Sequence, residues 1–298
     1  MKAGGCVTNL HYFNNMKLIK TGLRYLLVAT VIFITSQQNS YAGGFPVRPG
    51  SLLLSPSVSY FFANKGWDSL RRLTPFASGG KFTSVSYSLY AEYGLTKRFT
   101  LVAAVPYVMN TYEDDNGYRK SSTGVTDLET GIRYYLANIN YIYYFSIQGT
   151  FITPLYQGTD LGYRQNGAEL KFSFAGSGRI FGKNYYFTAE NGVRKYFGTA
   201  GALQDRYSGT FGFTLDRRLK QQVSVSVGGF YSTSSLSSGY NPKAVNASKN
   251  FAFNQASISY GYSFSRAFSL FLSAGTFING RNTGNGSSAS ASFIIKPL

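Results

Sequence analysis

Eight charged side chains sit at spacings that could do chemistry: Glu92, Asp127, Glu129, Arg133, Glu169, Lys171, Glu190 and Arg194. Asp127 and Glu129 are two residues apart, about 7 Å along one face of an extended strand, within the carboxyl separations used for glycoside hydrolysis. The same groups could select solutes as the lining of a pore, or pair off into an ion network that plugs a narrow one. Catalysis is the poorest fit. The single histidine, His11, and the single cysteine, Cys6, both precede residue 43, in a segment that reads as removable. Without them no imidazole, thiolate, disulfide or Cys/His metal site remains, and no nucleophile accompanies the carboxylates. We therefore expect no enzyme, no catalytic residue, no metal and no cofactor.

The removable segment has the order of a secretory signal peptide. Lys17, Lys20 and Arg24 precede an apolar run over 25–34, and Ser40-Tyr41-Ala42 offers a small-residue cleavage site. The run is too short for an ordinary membrane-spanning helix. Residues 1–42 are assigned to this signal, with Met16 as a possible true start, and 43–298 to the mature domain. Cys6 has no lipoprotein-type pattern around it. Removing Lys2, Lys17, Lys20 and Arg24 leaves 25 of the 29 basic residues against 12 acidic ones, a net +13.

What must position the charges is a set of strands. Charged residues are only 14% of the chain, against about 25% in soluble domains. Aromatics reach 17%, with 25 Tyr and 25 Phe but one Trp. Apolar and polar residues alternate with period two over twelve segments: 52–63, 82–93, 99–109, 124–136, 141–153, 167–177, 185–197, 206–215, 222–233, 251–264, 268–278 and 287–295. At about ten residues each, these are the length of tilted strands that cross a bilayer. Long polar links (64–81, 110–123, 154–166, 198–205, 234–250, 279–286) alternate with short ones (94–98, 137–140, 178–184, 216–221, 265–267). Two unlike rims suit an outer-membrane barrel with long outer loops and tight periplasmic turns, not a soluble sandwich.

Alternation also assigns the faces. Thr126, Leu128, Thr130, Ile132, Tyr134 and Leu136 oppose Val125, Asp127, Glu129, Gly131 and Arg133. A Lys or Arg facing lipid costs about 2–4 kcal/mol at the midplane, so the charged set faces the lumen. The later strands are nearly uncharged inside: Ser224, Ser226, Ser257, Ser259, Ser273, Ser288, Ser290 and Ser292 predict a water-lined wall. Asn191 and Lys195 break the pattern and are expected near a rim or at a register bend. Tyr60, Phe61, Tyr107, Tyr134, Tyr196 and Tyr231 are expected in interfacial girdles.

Other signals carry little. The basic residues Lys97, Arg98, Arg217, Arg218 and Lys220 fall in predicted periplasmic turns and read as solvated. They form no nucleic-acid motif. The Gly-rich stretch 279–286 lacks a following helix and reads as a loop, and Asn246-Ala247-Ser248 is too short a sequon to weigh.

The stretches 89–101 (LYAEYGLTKRFTL), 105–107 (VPY) and 124–136 (GVTDLETGIRYYL) resemble the outer-membrane barrels named for the meta-pathway of phenol degradation. The match covers about fifty residues. Lys97 stands where that family usually has Asp or Asn, and Val125-Thr126 replaces a residue followed by Gly. The chain also ends Phe293-Ile294-Ile295-Lys296-Pro297-Leu298, without the terminal aromatic common in such barrels. The resemblance implies a Gram-negative outer-membrane barrel passing small solutes, hydrophobic or aromatic compounds among them.

The expectation is therefore a single closed antiparallel transmembrane β-barrel of about twelve strands in the outer membrane, acting as a narrow channel or passive transporter. The eight charged residues line or plug its lumen. The alternative is a closed structural or surface-interaction barrel with its function in the outer loops. Expected partners are outer-membrane lipid and lipopolysaccharide, a small-molecule solute and the barrel assembly machinery, and no nucleic acid.

Overall fold

The computed structural model describes residues 45–198, 201–216, 220–234, 240–245 and 249–296. The signal segment, Arg217, Arg218, the 246–248 sequon and the last two residues lie outside the described residues. Among the described residues fourteen strands form one sheet: β1 (Leu52–Trp67), β2 (Leu73–Pro75), β3 (Lys81–Gly94), β4 (Phe99–Glu113), β5 (Arg119–Val125), β6 (Asp127–Ile139), β7 (Tyr143–Pro154), β8 (Gly167–Ile180), β9 (Lys183–Tyr196), β10 (Leu203–Thr214), β11 (Gln221–Thr233), β12 (Phe251–Ser263), β13 (Phe268–Arg281) and β14 (Thr283–Ile295). Consecutive long strands pair antiparallel, and β14 returns to pair β1 from Leu54↔Ile295 to Trp67↔Thr283. That seam closes the sheet. The two pieces β5 and β6 share one stave beside β4, and β2 only folds back on the end of β1, so the barrel has twelve staves.

The strands form because β-branched and aromatic residues occupy every second position, and closure leaves no backbone edge unpaired in hydrocarbon. The wall is inverted relative to a soluble domain. Leu89, Ile132, Phe172, Val225, Val227 and Ile258 are exposed on the outside, while Glu92, Arg133, Glu169 and Arg194 are buried inside. This is an outer-membrane β-barrel, with the exposed apolar band facing lipid.

Three local departures matter for the site. Between the pairs Tyr107↔Val125 and Ala104↔Glu129 the register shifts by one, a bulge at Val125–Thr126. Val125 therefore shares the outer face of Tyr107 and is not a lumen residue, although Asp127 onward is. The stretch 279–286 is no long loop: β13 and β14 run on to a turn at Asn282, whose φ is +51°. Its glycines are there for close approach, since a Cβ on Gly280 would lie 2.4 Å from the Trp67 ring and one on Gly286 2.5 Å from Phe61. Finally, Phe61 and Tyr196 point inward, so they leave the girdle to Tyr60, Tyr107, Tyr134 and Tyr231.

Candidate functional site

All eight charged residues lie inside the barrel, and their partners divide them into two groups. Toward the periplasmic end, β3, β4, β6 and β7 bring Tyr90, Glu92, Arg133 and Gln148 onto adjacent inner positions, through pairs such as Glu92↔Val102 and Arg133↔Gln148. Arg133 donates from Nη1 to Glu92 Oε1 at 2.9 Å and from Nη2 to Tyr90 Oη at 3.0 Å. Its Nε and Nη2 both reach Gln148 Oε1, at 3.1 and 2.9 Å. Tyr90 Oη donates to Glu92 at 2.5 Å, and Gln148 Nε2 to Thr150 at 2.9 Å. The Arg133 side chain has no exposed surface and Glu92 has 2%. Here the charges are fully committed to one another.

The second group lies higher, on β6, β8, β9 and β10. Arg194 bridges Glu129 and Glu169, with Nε to Glu169 Oε2 at 2.8 Å, and Arg206 binds the same Glu169 oxygen. Tyr196 Oη donates to Asp127 Oδ2 at 2.8 Å. Lys171 lies 3.6 Å from Glu190, which also accepts from Ser173 at 3.1 Å. Unlike the lower cluster, this one meets solvent: Arg206 and Glu129 side chains are 32% and 28% exposed, Lys171 and Glu190 both 19%. Five acids against four bases, Arg206 included, leave the lumen close to neutral.

The serine wall is dry, contrary to expectation. Ser224, Ser226, Ser257, Ser259, Ser273, Ser288 and Ser290 are all buried, and only Ser292 is half-buried. Serine is short, and longer neighbours cover it. Tyr186 on β9 reaches over Gly212 on β10, where a Cβ would meet its ring at 2.5 Å, toward Ser224, the residue opposite Gly212 on β11. Ser259 instead bonds Ser273 across β12–β13 at 2.7 Å.

Above the serines lies an arc of phenylalanine rings. Phe82, Phe61, Phe277, Phe253 and Phe230 follow one another around β3, β1, β13, β12 and β11, at centroid separations of 6.2, 5.2, 4.2 and 6.0 Å, and Phe251 stacks on Phe230 at 5.1 Å. Every ring is half-buried, with one side toward the lumen. Arg206 lies 5.7 Å over Phe230 and so joins the arc to the charged group.

Both ends of the lumen are narrowed. At the outer end, residues 240–245 pack inward: Val245 is buried with Ala63, Phe76 and Tyr112, and Asn110 and Lys120 donate to the Val245 and Ala244 carbonyls at 3.5 and 3.2 Å. Lys243 Nζ lies 2.7 Å from Asp114 Oδ2, whose side chain is wholly covered. This bond holds the Asp114 carboxyl below its ordinary range and raises Lys243 above its own. At the inner end, 45–50 crosses beneath β3 and β4. Gly50 N donates to Gly94 O at 2.7 Å and Tyr135 Oη to Phe45 O at 2.6 Å.

Sequence reasoning missed Arg206, Tyr90, Gln148 and the phenylalanine arc. Arg206 opens a predicted strand and shares parity with Ser208 and Thr210, which face inward. Asn191 and Lys195 do face outward, but Asn191 lies within β9, bonded to Asp205 at 2.7 Å, not at a rim. Lys97, Arg98 and Lys220 are in short turns, where Arg98 reaches Tyr134 Oη at 3.2 Å.

Solved outer-membrane barrels share this architecture. The crystal structure of an outer-membrane channel from Pseudomonas putida F1 superposes with a TM-score of 0.67 at 12% identity, covering 87% of this chain and 100% of that one. The β domain of the Bordetella autotransporter BrkA gives 0.53 at 12% identity, covering 83% and 100%. At such identities the likeness is one of fold. No protein-family model matches the sequence, and no curated relative does.

Proposed function

We infer that the protein is a narrow outer-membrane channel or passive transporter for small solutes, with hydrophobic or aromatic compounds as its preferred class. The observation that carries this reading is the arc of half-buried phenylalanines facing the solvent-exposed part of the charged group. Rings stacked at Phe230, Phe251, Phe253 and Phe277 and tilted or T-shaped at Phe61 and Phe82 offer a continuous apolar track, and an aromatic contact favours a further ring by about 0.5–1.5 kcal/mol. Lys171, Glu190 and Glu129 keep the other side wet, and Arg206 stands where the two meet. The partial match to the phenol meta-pathway barrels and the fold shared with the Pseudomonas channel support the same class. The eight charged residues are then a lining above and a packed seal below.

The test is single-channel current from refolded mature protein in a planar bilayer, with phenol or benzoate added on one side. Current steps that aromatic solutes block, with block weakened about tenfold by Phe253→Ala plus Phe277→Ala, are the expected result. The second reading is a closed surface-interaction barrel, favoured by the packing of 240–245 into the outer mouth. Folded, inserted protein that gives no steps, even with that segment shortened, would leave this second reading standing.

A further inference from the structure

The outer wall carries a polar row that neither the channel nor the barrel fold requires. Asn191, Tyr207, Gly229, Asn254 and Asn279 are directly opposite one another across β9 to β13, on the face that otherwise meets lipid. Tyr207 Oη reaches across β11 to Asn254 Oδ1 at 2.7 Å, because Gly229 lies between them; a Cβ there would be 2.5 Å from the Asn254 oxygen. Tyr231 Oη donates to the same oxygen at 3.0 Å, and Asn254 Nδ2 to Asn279 Oδ1 at 3.1 Å. The Tyr207 and Tyr231 rings stack at 6.2 Å and 19°, and both side chains are exposed.

The row belongs to the outer half of the membrane. Asn279 is two residues from the loop end of β13 and Asn191 five from that of β9, roughly 5 to 13 Å below the rim for tilted strands. In the other direction the same row descends through Phe172, Ile147 and Tyr134, all apolar or aromatic. Only the upper sector is polar. Hydrocarbon offers no partner to amide groups, so this sector suits a ligand that brings its own hydroxyls and amides. Charge narrows the choice. Lys195 stands four residues above Asn191 and Arg281 two above Asn279, both on the outer face, while the one acid, Asp205, is bonded to Asn191.

We propose that this row binds the phosphorylated sugar headgroup of an outer-leaflet glycolipid: sugar on the Tyr207–Tyr231 platform and the Asn254–Asn279 amides, phosphates toward Lys195 and Arg281. The test is titration of the refolded mature protein in detergent with bisphosphorylated lipid A, its dephosphorylated form and phosphatidylglycerol, read by native mass spectrometry. Lipid A is expected to be retained at concentrations at least tenfold lower than the other two. Asn254→Leu plus Asn279→Leu, and separately Lys195→Ala plus Arg281→Ala, should each raise that concentration at least tenfold. Heat-modifiable migration verifies that each variant is folded, and the charge variant leaves the row intact should the amide variant fail. Equal retention of phosphatidylglycerol, unchanged binding by both folded variants, or a dimer that the amide variant dissociates would each overturn the proposal.

Discussion

The Glu92–Arg133 cluster makes a demand that can be put in numbers. Arg133 is wholly buried, and Glu92 is the carboxylate that balances it at 2.9 Å. Glu92→Leu would leave a guanidinium inside the barrel with only neutral acceptors, and Arg133→Met would leave a buried carboxylate with Tyr90. Breaking such a pair from either side costs about 3–5 kcal/mol, whereas replacing both members by apolar residues is often neutral or stabilising. Tyr90 and Gln148 would still lose partners in the double variant, at about 1 kcal/mol each. The expected double-mutant cycle is therefore about 4 kcal/mol for each single change and about 2 for the pair, a coupling near 6 kcal/mol. Urea unfolding from phospholipid vesicles, followed by Trp67 fluorescence, measures all four corners. Singles costing under about 1 kcal/mol, with additivity within about 0.5, would mean water solvates this level of the lumen, and the argument for a packed seal would fail.

Three further outcomes are expected. The Asp114 carboxyl is lowered and Lys243 raised. The contribution of Asp114 is thus complete above the ordinary aspartate value near 4 and lost as pH falls through its lowered value. That of Lys243 is complete below about 10.4 and lost above its raised one. A bimane at position 242, which lines the same cavity as Trp67 and is quenched by it, should stay dark from about pH 4 to 10 and brighten at acid pH, or at any pH in Lys243→Ala. Gly212→Ala should destabilise the barrel by about 1–3 kcal/mol, because its methyl meets the Tyr186 ring, and a Tyr186→Ala background should remove most of that cost in the same urea assay. Arg206→Gln should shift the reversal potential under a salt gradient toward cations, whereas Arg133→Gln, being sealed away from solvent, should not.

The twelve strands were legible because each carries one face that lipid tolerates and one that it does not. Thus Leu128 and Glu129 declare their sides without any partner being known. Positions of the charges followed at once. Their pairing did not, since Arg133 and Glu92 are 41 residues apart and meet only through the β3–β4–β6 register. The Val125–Thr126 bulge was invisible for a related reason. Alternation continues on both sides of it, and only the change of partner on β4 reveals the inserted residue. Glycine misled at 279–286, where it permits ring contact instead of a turn. Serine misled too: a hydroxyl wall predicts water only if nothing longer overhangs it, and Tyr186 does.

Three contacts reach over an intervening strand through a missing side chain: Tyr186 over Gly212, Tyr207 over Gly229, and Phe61 over Gly286 to Phe277. At Gly212 and Gly229 this fixes the relative shear of three neighbouring strands, because a slip of two residues keeps every side chain on its proper face but brings the Cβ of Thr210 or Thr214, or of Val227 or Tyr231, under the ring; at Gly286 the slip is rejected only in the direction that brings in Ser288, since Gly284 lies on the other side. Alternation alone cannot reject such a slip. The glycines can, and the Phe61–Phe277 contact straddles the β14–β1 seam, so a barrel closed out of phase would carry its error where the last hydrogen bonds must form. These glycines are thus proofreading positions for assembly as well as spacers in the finished wall.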